Sequence, residues 1–367
     1  MIRIRAPGRI CLFGEHQDYL NYPTISMAIS RYIYLKADKI NQNNFLLHLP
    51  DIDKKINIPL TNSSLEYQSK RDYLRSGYNQ FIRRGIQFNK GYEITITGDI
   101  PINAGAASSS ALVVAWLSFL NRISNNPFGP YELAIMSYNT EVREFGEAGG
   151  MMDFFSSLYG NVIYLESKRD KPMIKSYEHG LRGFVLGDSL QKKNTVKDLK
   201  KVKETTINAF SILKKCMPNF NRYSTKIKEV QEYLPSIEKE YRKKIVGNLI
   251  NRDLTKKAKE LLDNWSNKLK QAFPLREINS FYERLGSLIN KHQEQLRTKI
   301  EISTEKIDQM IASCREAGAL GAKINGSGFG GTMFAFGIKK QKKLMKVIKK
   351  SGGVPYNIST SSGVEKF

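Results

Sequence analysis

Polar side chains that could perform chemistry are gathered in three glycine-interrupted segments of this chain. The first segment spans residues 6–19 and reads Ala-Pro-Gly-Arg-Ile-Cys-Leu-Phe-Gly-Glu-His-Gln-Asp-Tyr. Carboxylates accept hydrogen bonds from hydroxyl groups and a histidine donates or accepts, so this set suits a polyhydroxylated ligand held at a turn-rich bend. A surface turn with incidental charges is the alternative, because polar residues are mostly exposed.

The second segment, residues 101–115, follows a predicted strand and opens an apolar helix. Its small residues would let the backbone close around phosphate oxygens. The unpaired N–H groups and the dipole at the start of a helix favour an anion there. The three successive serines, Ser108 to Ser110, could instead only cap the helix.

The third segment, residues 323–331, contains the pattern GxGxxG from Gly326 to Gly331. A dinucleotide-binding fingerprint follows a strand and opens a helix, whereas here a strand is predicted after the glycines. A protein-kinase loop is excluded because neither HRD nor DFG occurs. We therefore predict a glycine turn that allows close backbone approach to a ligand or to another domain.

These segments must be positioned by the elements around them, which the residue patterns predict. Period-two runs rich in β-branched and aromatic residues predict strands at residues 31–37 and 92–98, and further strands are predicted at residues 161–165, 183–187 and 332–336. Helices are predicted at residues 109–122, 130–145, 304–317 and 340–350, followed by a short tail. A long Lys-rich helical region after residue 183 has breaks near Pro218, Pro235 and Pro274. We predict two domains, residues 1–182 and 183–367, because 367 residues exceed the usual size of a single core.

Composition places the chain among globular proteins without a membrane span. Hydrophobic residues make up 41%, with 18 Tyr and 18 Phe, which is ample for burial. No apolar run approaches the ~20 residues that cross a bilayer, and the N-terminus lacks a signal-peptide pattern, so a cytoplasmic location is expected. Cys11, Cys216 and Cys314 are too few and too widely spaced for a disulfide framework or a zinc site, and we predict that each is a core residue.

A formal net charge of +23 raises the question of a nucleic-acid partner. Residues 192–299 hold 26 basic and 12 acidic residues, and the basic ones alternate with apolar residues at helical spacing. That pattern is typical of the solvated faces of amphipathic helices, and no nucleic-acid motif occurs. We expect no nucleic-acid partner, while a basic surface also attracts anionic nucleotides.

Taken in order, the three segments resemble the signature motifs of the GHMP kinases, a family that includes galactokinases, homoserine kinases and mevalonate kinases. The resemblance implies an α+β fold of two domains, a ribosomal S5 domain 2-like N-terminal domain and a ferredoxin-like C-terminal domain. In that family the serine-rich motif wraps the ATP phosphates and the third motif lies beside the nucleotide and substrate sites. The nucleotide-binding residues implied here are Gly105, Ala106, Ala107, Ser108, Ser109, Ser110, Gly326 and Gly328.

Within the family, the first segment resembles galactokinases, because Gly-Glu-His-x-Asp-Tyr matches their signature. Mevalonate kinases follow Glu-His with apolar residues, so Asp18 is the discriminating residue. The resemblance implies that Glu15, His16 and Asp18 bind sugar hydroxyls. It also implies that Arg9 faces the reacting oxygen and the transferred phosphoryl group.

Residues 148–160 resemble the galactokinase segment that carries the catalytic aspartate, which assigns that role to Asp153 as base or orienting group. A helix cap or surface turn is the alternative use of Asp153. By the same resemblance, Glu141 and Ser110 share the Mg²⁺ ion. Phosphoryl transfer depends mainly on positioning and on neutralising the phosphoryl charge, which Arg9 and the metal would supply.

These features predict an ATP-dependent kinase that phosphorylates a small sugar, at the anomeric hydroxyl as in galactokinases. Two departures concern the sugar: residues 187–195 replace a motif that helps galactokinases read it, and Gln17 replaces a Thr or Ile of the signature. The Lys192 and Lys193 pair could hold an acidic or phosphorylated sugar, which is the alternative acceptor. A catalytically idle, sugar-sensing relative is a further alternative, which the retained polar residues disfavour.

Overall fold

Two β-sheets organise the part of the chain that the structure, a computed structural model, describes. The described residues are 1–102, 104–167, 171–178, 180–192, 195–268 and 275–367. Within them the chain forms an eight-stranded sheet and a four-stranded sheet. The predicted break near Pro274 and Lys193 of the basic pair lie outside the described residues.

The eight-stranded sheet forms the N-terminal half and also takes in the last strand of the chain. Its strands are β1 (Ile2–Phe13), β2 (Thr24–Ile40), β3 (Asn44–Leu49), β4 (Lys54–Pro59), β5 (Gly91–Gly98), β6 (Val162–Glu166), β7 (Met173–Tyr177) and β12 (Glu365–Lys366). The order is β12-β1-β2-β5-β3-β4, with β6 joining β2 to β7. The predicted tail therefore returns to the first sheet, where Ile4 pairs with Lys366. The domain boundary at residue 182 stays a prediction.

Helices α1 (Tyr73–Ile82), α2 (Ser108–Ile123), α3 (Pro130–Tyr138) and α4 (Met152–Tyr159) accompany this sheet. The predicted helix at 109–122 is confirmed by α2, whose Trp116 and Phe119 pack on Phe45 of the sheet. The helix predicted through residue 145 is shorter, because α3 continues as a wider π-helical turn at Asn139–Arg143. Such turns are frequent at functional sites, and this one carries Glu141.

The four-stranded antiparallel sheet consists of β8 (Phe184–Asp188), β9 (Gly321–Asn325), β10 (Thr332–Phe336) and β11 (Val354–Asn357), in the order β11-β8-β10-β9. Strand β9 was not predicted, because its small residues Gly and Ala carry little strand signal. Residues 326–331 of the third segment are therefore the turn of a hairpin between β9 and β10. Its glycines supply positive φ, which is +79° at Gly326 and +76° at Gly328.

The remaining helices are α5 (Thr195–Cys216), α6 (Ile227–Val230), α7 (Lys239–Lys268), α8 (Leu275–Gln295), α9 (Glu305–Glu316) and α10 (Gln341–Lys350). Cys11 and Cys314 are buried as predicted, but Cys216 is exposed, so its assignment to the core was wrong. It is the last residue of α5, where the helix face turns to solvent. In the described part of the chain, no helix combines the length and the apolar character that crossing a membrane requires.

Candidate active site

The three segments meet around one cavity of about 230 Å³. Its walls come from the end of β1 and the turn after it, the loop before α2, the start of α4, and the turn between β9 and β10. Residues far apart in sequence are therefore brought together by the packing of the two sheets.

The Gly105 carbonyl joins all three segments. It accepts hydrogen bonds from Arg9 Nη1 at 2.6 Å and from Asn325 Nδ2 at 3.0 Å. A Cβ at Gly326 would lie 2.6 Å from the same oxygen, so the two backbones approach as closely as glycine allows. The phosphate-loop candidate and the third-segment turn are thus in direct contact.

The first turn of α2 faces the cavity with its serines. Most of the residues assigned to the nucleotide line the cavity: Gly105, Ala107, Ser108, Ser109, Ser110 and Gly326. Ala106 is fully buried and its carbonyl accepts from the Arg9 N–H at 3.1 Å. Gly328 is not among the residues that line the cavity; a side chain there would meet Ile302, in the loop before α9, at 2.6 Å, so Gly328 allows the turn to pack on that loop.

Arg9 and Asp153 form a two-pronged ion pair in the cavity wall. Arg9 Nε lies 2.7 Å from Asp153 Oδ1, and Arg9 Nη2 lies 2.9 Å from Oδ2. Burial lowers the pKa of Arg9, but the Asp153 carboxylate outweighs burial and the pKa is raised. Asp153 keeps 25% of its side chain exposed to the cavity, and the cap of α4 is Met151, so Asp153 is not a helix cap.

Glu15 is engaged by the protein itself. Its Oε2 accepts from Lys323 Nζ and its Oε1 accepts from the Gly326 N–H at 3.0 Å. Glu15 is 2% exposed and Lys323 is fully buried. The first segment is therefore fastened to the third-segment hairpin by a buried ion pair.

His16 makes a second connection of the same kind. Its Nε2 lies 2.9 Å from the Ser327 carbonyl, which can only accept, so Nε2 carries the proton. In the neutral ring Nδ1 then accepts from the Tyr19 hydroxyl at 3.0 Å. Both Glu15 and His16 line the cavity, but the bonds described here are to protein groups.

Asp18 lies where the first segment meets the loop before α4. Its Oδ1 accepts from the Tyr19 N–H at 2.8 Å, and a side chain at Gly150 would collide with its carboxylate. Burial raises the pKa of Asp18 to about 6, and the nearby charge of Asp153 adds to the shift. Asp18 and Asp153 are thus two carboxylates of one cavity.

Glu141 reaches the cavity from the π-helical turn. Its Oε1 accepts from Ser109 Oγ at 2.7 Å, while Oε2 has no hydrogen-bond partner among the described residues. Burial raises the pKa of Glu141 to about 7, against the opposing effect of the bond from Ser109. An unpaired carboxylate oxygen beside the hydroxyls of Ser109 and Ser110 fits Mg²⁺, which prefers oxygen ligands and keeps few protein ones.

Several cavity residues were missed by reasoning from the sequence. The Tyr73 hydroxyl donates to Glu147 Oε1 at 2.9 Å, and Arg71 Nε lies 2.7 Å from the same oxygen. Leu199 of α5 also lines the cavity. No spacing pattern marks these residues, because they come from the ends of unrelated elements. Gln17, in contrast, points away from the cavity and donates to the Asn248 carbonyl of α7 at 2.8 Å, so it is a packing residue.

Comparisons with known proteins agree with this geometry. Residues 72–161 match the family GHMP kinases N terminal domain and residues 269–349 match GHMP kinases C terminal. Residues 2–39 match the galactokinase galactose-binding signature. Together the three matches cover more than half of the chain.

Galactokinases and mevalonate kinases are both among the relatives that match almost the whole chain. The galactokinase of Thermotoga maritima is 26% identical over 100% of both chains. The mevalonate kinase of Pyrococcus furiosus is 26% identical over 95% of this chain and 93% of its own. Among solved structures, Lactococcus lactis galactokinase complexed with galactose has a TM-score of 0.82 at 20% identity, covering 100% of this chain and 95% of that one. Methanococcus jannaschii mevalonate kinase has a TM-score of 0.69 at 20% identity, covering 98% of each chain.

The fold and the family matches define an ATP-dependent phosphotransferase with a small-molecule acceptor. The chain belongs to the GHMP kinases. The family and the α+β two-domain fold predicted from its three segments are confirmed.

Proposed function

We propose that this protein is a sugar kinase that transfers the γ-phosphoryl group of ATP to the anomeric hydroxyl of a galactose-like sugar. One observation carries the proposal. Asp18, in the segment that matches the galactose-binding signature, lies in the same cavity as the Arg9–Asp153 ion pair. A carboxylate that accepts from sugar hydroxyls therefore adjoins a carboxylate that can take the acceptor's proton.

The nucleotide phosphates are placed at the start of α2. The N–H groups of its first turn have no partner within the helix, and the helix dipole adds positive potential. Gly105, with φ of +88°, lets the backbone curve around the phosphates. The Ser108 and Ser110 hydroxyls supply further donors to the phosphate oxygens, whereas the Ser109 hydroxyl donates to Glu141.

Glu141, with Ser109 and Ser110, is the group that would hold Mg²⁺. The unpaired Glu141 Oε2 and the hydroxyl oxygens match the ion's preference for oxygen ligands. A bound Mg²⁺ would neutralise negative charge on the ATP phosphates.

Asp153 and Arg9 perform the transfer chemistry in this proposal. Asp153 accepts the proton of the sugar hydroxyl, or orients that hydroxyl, while the oxygen bonds to the γ-phosphorus and ADP leaves. Arg9 holds the carboxylate through its two contacts and supplies positive charge to the phosphoryl oxygens. The work is positioning and charge neutralisation, which is what phosphoryl transfer requires.

A panel of sugars with Mg²⁺ and ATP tests the proposal. ADP release is measured by a coupled assay, and the product is identified by phosphorus NMR. A galactose-like sugar is expected to give a sugar 1-phosphate. Phosphorylation only at a primary hydroxyl, or only of mevalonate, would contradict the proposal.

An acidic or phosphorylated sugar is the second candidate acceptor, and one observation favours it. A second pocket of about 570 Å³ adjoins the cavity and shares Arg71 and Glu147 with it. Lys70, Lys200 and Lys203 add three more cations to its wall, of which Lys200 lies 3.8 Å from Glu204 in the same wall. These side chains, rather than Lys192, face a pocket where a carboxylate or phosphate could be held. Galacturonate and galactose 6-phosphate in the same panel decide between the candidates, since turnover of either in preference to galactose supports the anionic acceptor.

A further inference from the structure

Lys323 is a buried, charged residue at the centre of β9. Its side chain is fully buried, and its Nζ donates to Glu15 Oε2 and to the Ile324 carbonyl at 2.9 Å. The Phe334 ring of the neighbouring strand lies 5.3 Å from Nζ. Lysine is among the residues least often buried unless it is paired, and here it is paired with a residue of the first segment.

The Glu15 carboxylate also bonds to the turn between β9 and β10. Its second oxygen accepts from the Gly326 N–H at 3.0 Å, and Gly326 packs against the Gly105 carbonyl. The adjacent His16 bonds to the Ser327 carbonyl, one residue further along the turn. A continuous set of contacts thus runs from Lys323 through Glu15 and the turn to the loop before α2.

A buried ion pair of this kind is weak evidence for stability, because the cost of removing two charges from water is large. Its best-supported use is to fix one arrangement of the chain over others. What Lys323 fixes is the relation between the first segment, the hairpin turn and the loop before α2. The turn itself lines the cavity through Gly326 and Ser327.

We propose that Lys323 is a positioning residue that, through Glu15, holds the β9–β10 turn against the loop before α2, so that nucleotide and acceptor are held in one fixed relation. It does not itself touch either substrate. The nucleotide half of this inference rests on membership of the GHMP kinases alone, and the acceptor half rests on the proposed function.

Lys323→Met and Glu15→Gln, singly and together, test the inference by the affinity for MgADP, measured by titration calorimetry at a temperature where each variant is folded. MgADP binding needs no acceptor, so this readout is independent of which sugar is used. The KM for D-galactose is a second readout. Lys244→Met is the matched control, because Lys244 is also buried and donates to the Ile300 carbonyl at 2.7 Å and lies 3.3 Å from Glu301. Lys244 and its two contacts, Ile300 and Glu301, do not line the cavity.

Lys323→Met is expected to weaken MgADP binding at least about tenfold, within the range of coupling between contacting residues. Glu15→Gln, which keeps an oxygen for the Gly326 N–H, should also weaken MgADP binding. The double variant should bind MgADP no more weakly than Lys323→Met does. Lys244→Met is expected to bind MgADP as the wild type does, whatever its loss of stability. If Lys323→Met does not fold, Glu15→Gln against Lys244→Met still decides the matter.

Unchanged MgADP affinity in Lys323→Met, or losses that multiply in the double variant, would overturn the inference. An equal loss in Lys244→Met would reduce the role of Lys323 to general stability and overturn it as well. If the wild type binds MgADP but phosphorylates no sugar, the proposed function fails, while the MgADP comparison still stands.

Discussion

At the residue scale, two carboxylates of one cavity have different surroundings. Asp153 is held by Arg9 through two short contacts, whereas Asp18 is buried against Gly150 and receives one backbone N–H. Burial raises the pKa of the Asp18 carboxyl to about 6, although the nearby charges of Arg9 and Lys203 oppose that shift. Substitutions of the two groups should therefore change different kinetic parameters.

Asp153→Asn keeps the shape of the side chain but removes the charge that takes or orients the acceptor proton. Assistance by a general base is typically worth ~10²–10⁴-fold, so kcat should fall at least 100-fold with little change in either KM. Steady-state kinetics with ATP and the preferred sugar provide the measurement. A variant that retains more than about a tenth of the wild-type kcat would show that Asp153 is structural.

Asp18 gives a pH dependence whose sign follows from its raised pKa of about 6. Because the ionised form accepts from sugar hydroxyls, kcat/KM for the sugar should fall as pH drops below 6. Asp18→Asn should remove that ionisation and raise the sugar KM by about 10- to 100-fold, the value of a hydrogen bond to a charged group. The affinity for MgADP should be unchanged, and an unchanged sugar KM would place the acceptor elsewhere.

Glu141 offers a test that needs no activity. Its pKa in the folded protein is about 7, above the ordinary value, so the stability it contributes at low pH is lost as pH rises toward 7. Without Mg²⁺ at pH 8, Glu141→Gln should be more stable than wild type by on the order of 3 kcal/mol at most. Added Mg²⁺ should stabilise only the wild type. Denaturation at pH 5 and pH 8 measures this, and equal responses to Mg²⁺ would remove Glu141 from the metal site.

At the residue scale, the sequence named residues that the structure brings together where a motif was present, and their roles stay predictions. Arg9 and Asp153 were both named from their segments, and they form an ion pair. Lys323 was not singled out, because a lysine read from one sequence is expected on the surface. Only the packing of β9 against the first segment makes it a partner of Glu15.

At the scale of elements, helices such as α2 and strands such as β2 and β5 were predictable. Strand β1, whose residues 6–13 were predicted as part of a turn-rich bend, and the hairpin around the third segment were not. Strand β10 has a clear apolar run, but β9 is short and contains Gly and Ala. The π-helical turn after α3 could not be predicted either, since it differs from a helix only in hydrogen-bond register. These irregular elements carry Glu141 and Gly326. Secondary-structure patterns in the sequence therefore did not predict the backbone at these two cavity residues.

The loop before α2 supports a prediction on Gly105. A β-branched residue suits neither its φ of +88° nor close approach to phosphate, so Gly105→Val should lose most MgADP affinity. Gly85→Val is a matched control, because Gly85 has φ of +77° and no atom of the described residues lies within 4 Å of an added Cβ. The control should lose stability from strain alone and keep its nucleotide affinity. Normal MgADP binding by a folded Gly105→Val protein would contradict the phosphate-loop assignment.

At the scale of the whole molecule, the C-terminal residues tie the second half of the chain to the sheet that carries Arg9. Strand β12 pairs with β1, and Arg5 forms an ion pair with Glu365. The Val364 N–H donates to the Ser157 carbonyl of α4 at 2.8 Å. The sequence suggested only a short tail here, because two-residue strands leave no periodic pattern. The tail therefore holds α4, and with it Asp153, against the first sheet.

Removing residues 364–367 should loosen α4 and lower stability without touching any residue that lines the cavity. The loss comprises the Val364 bond, the β12 pairing, the Arg5–Glu365 ion pair, and the packing of Val364 and of Phe367 on Tyr34. We expect it to be about 2–4 kcal/mol at ~1 kcal/mol per hydrogen bond plus partial burial. Glu365→Gln is the control, since it removes only a partly exposed ion pair worth about 1 kcal/mol or less. Urea denaturation measures both variants, and hydrogen exchange of residues 152–159 should rise only in the truncated protein. A truncation no more destabilising than Glu365→Gln, with unchanged exchange in α4, would show that α4 is held by α2, α3 and strands β1, β2 and β6 without the tail.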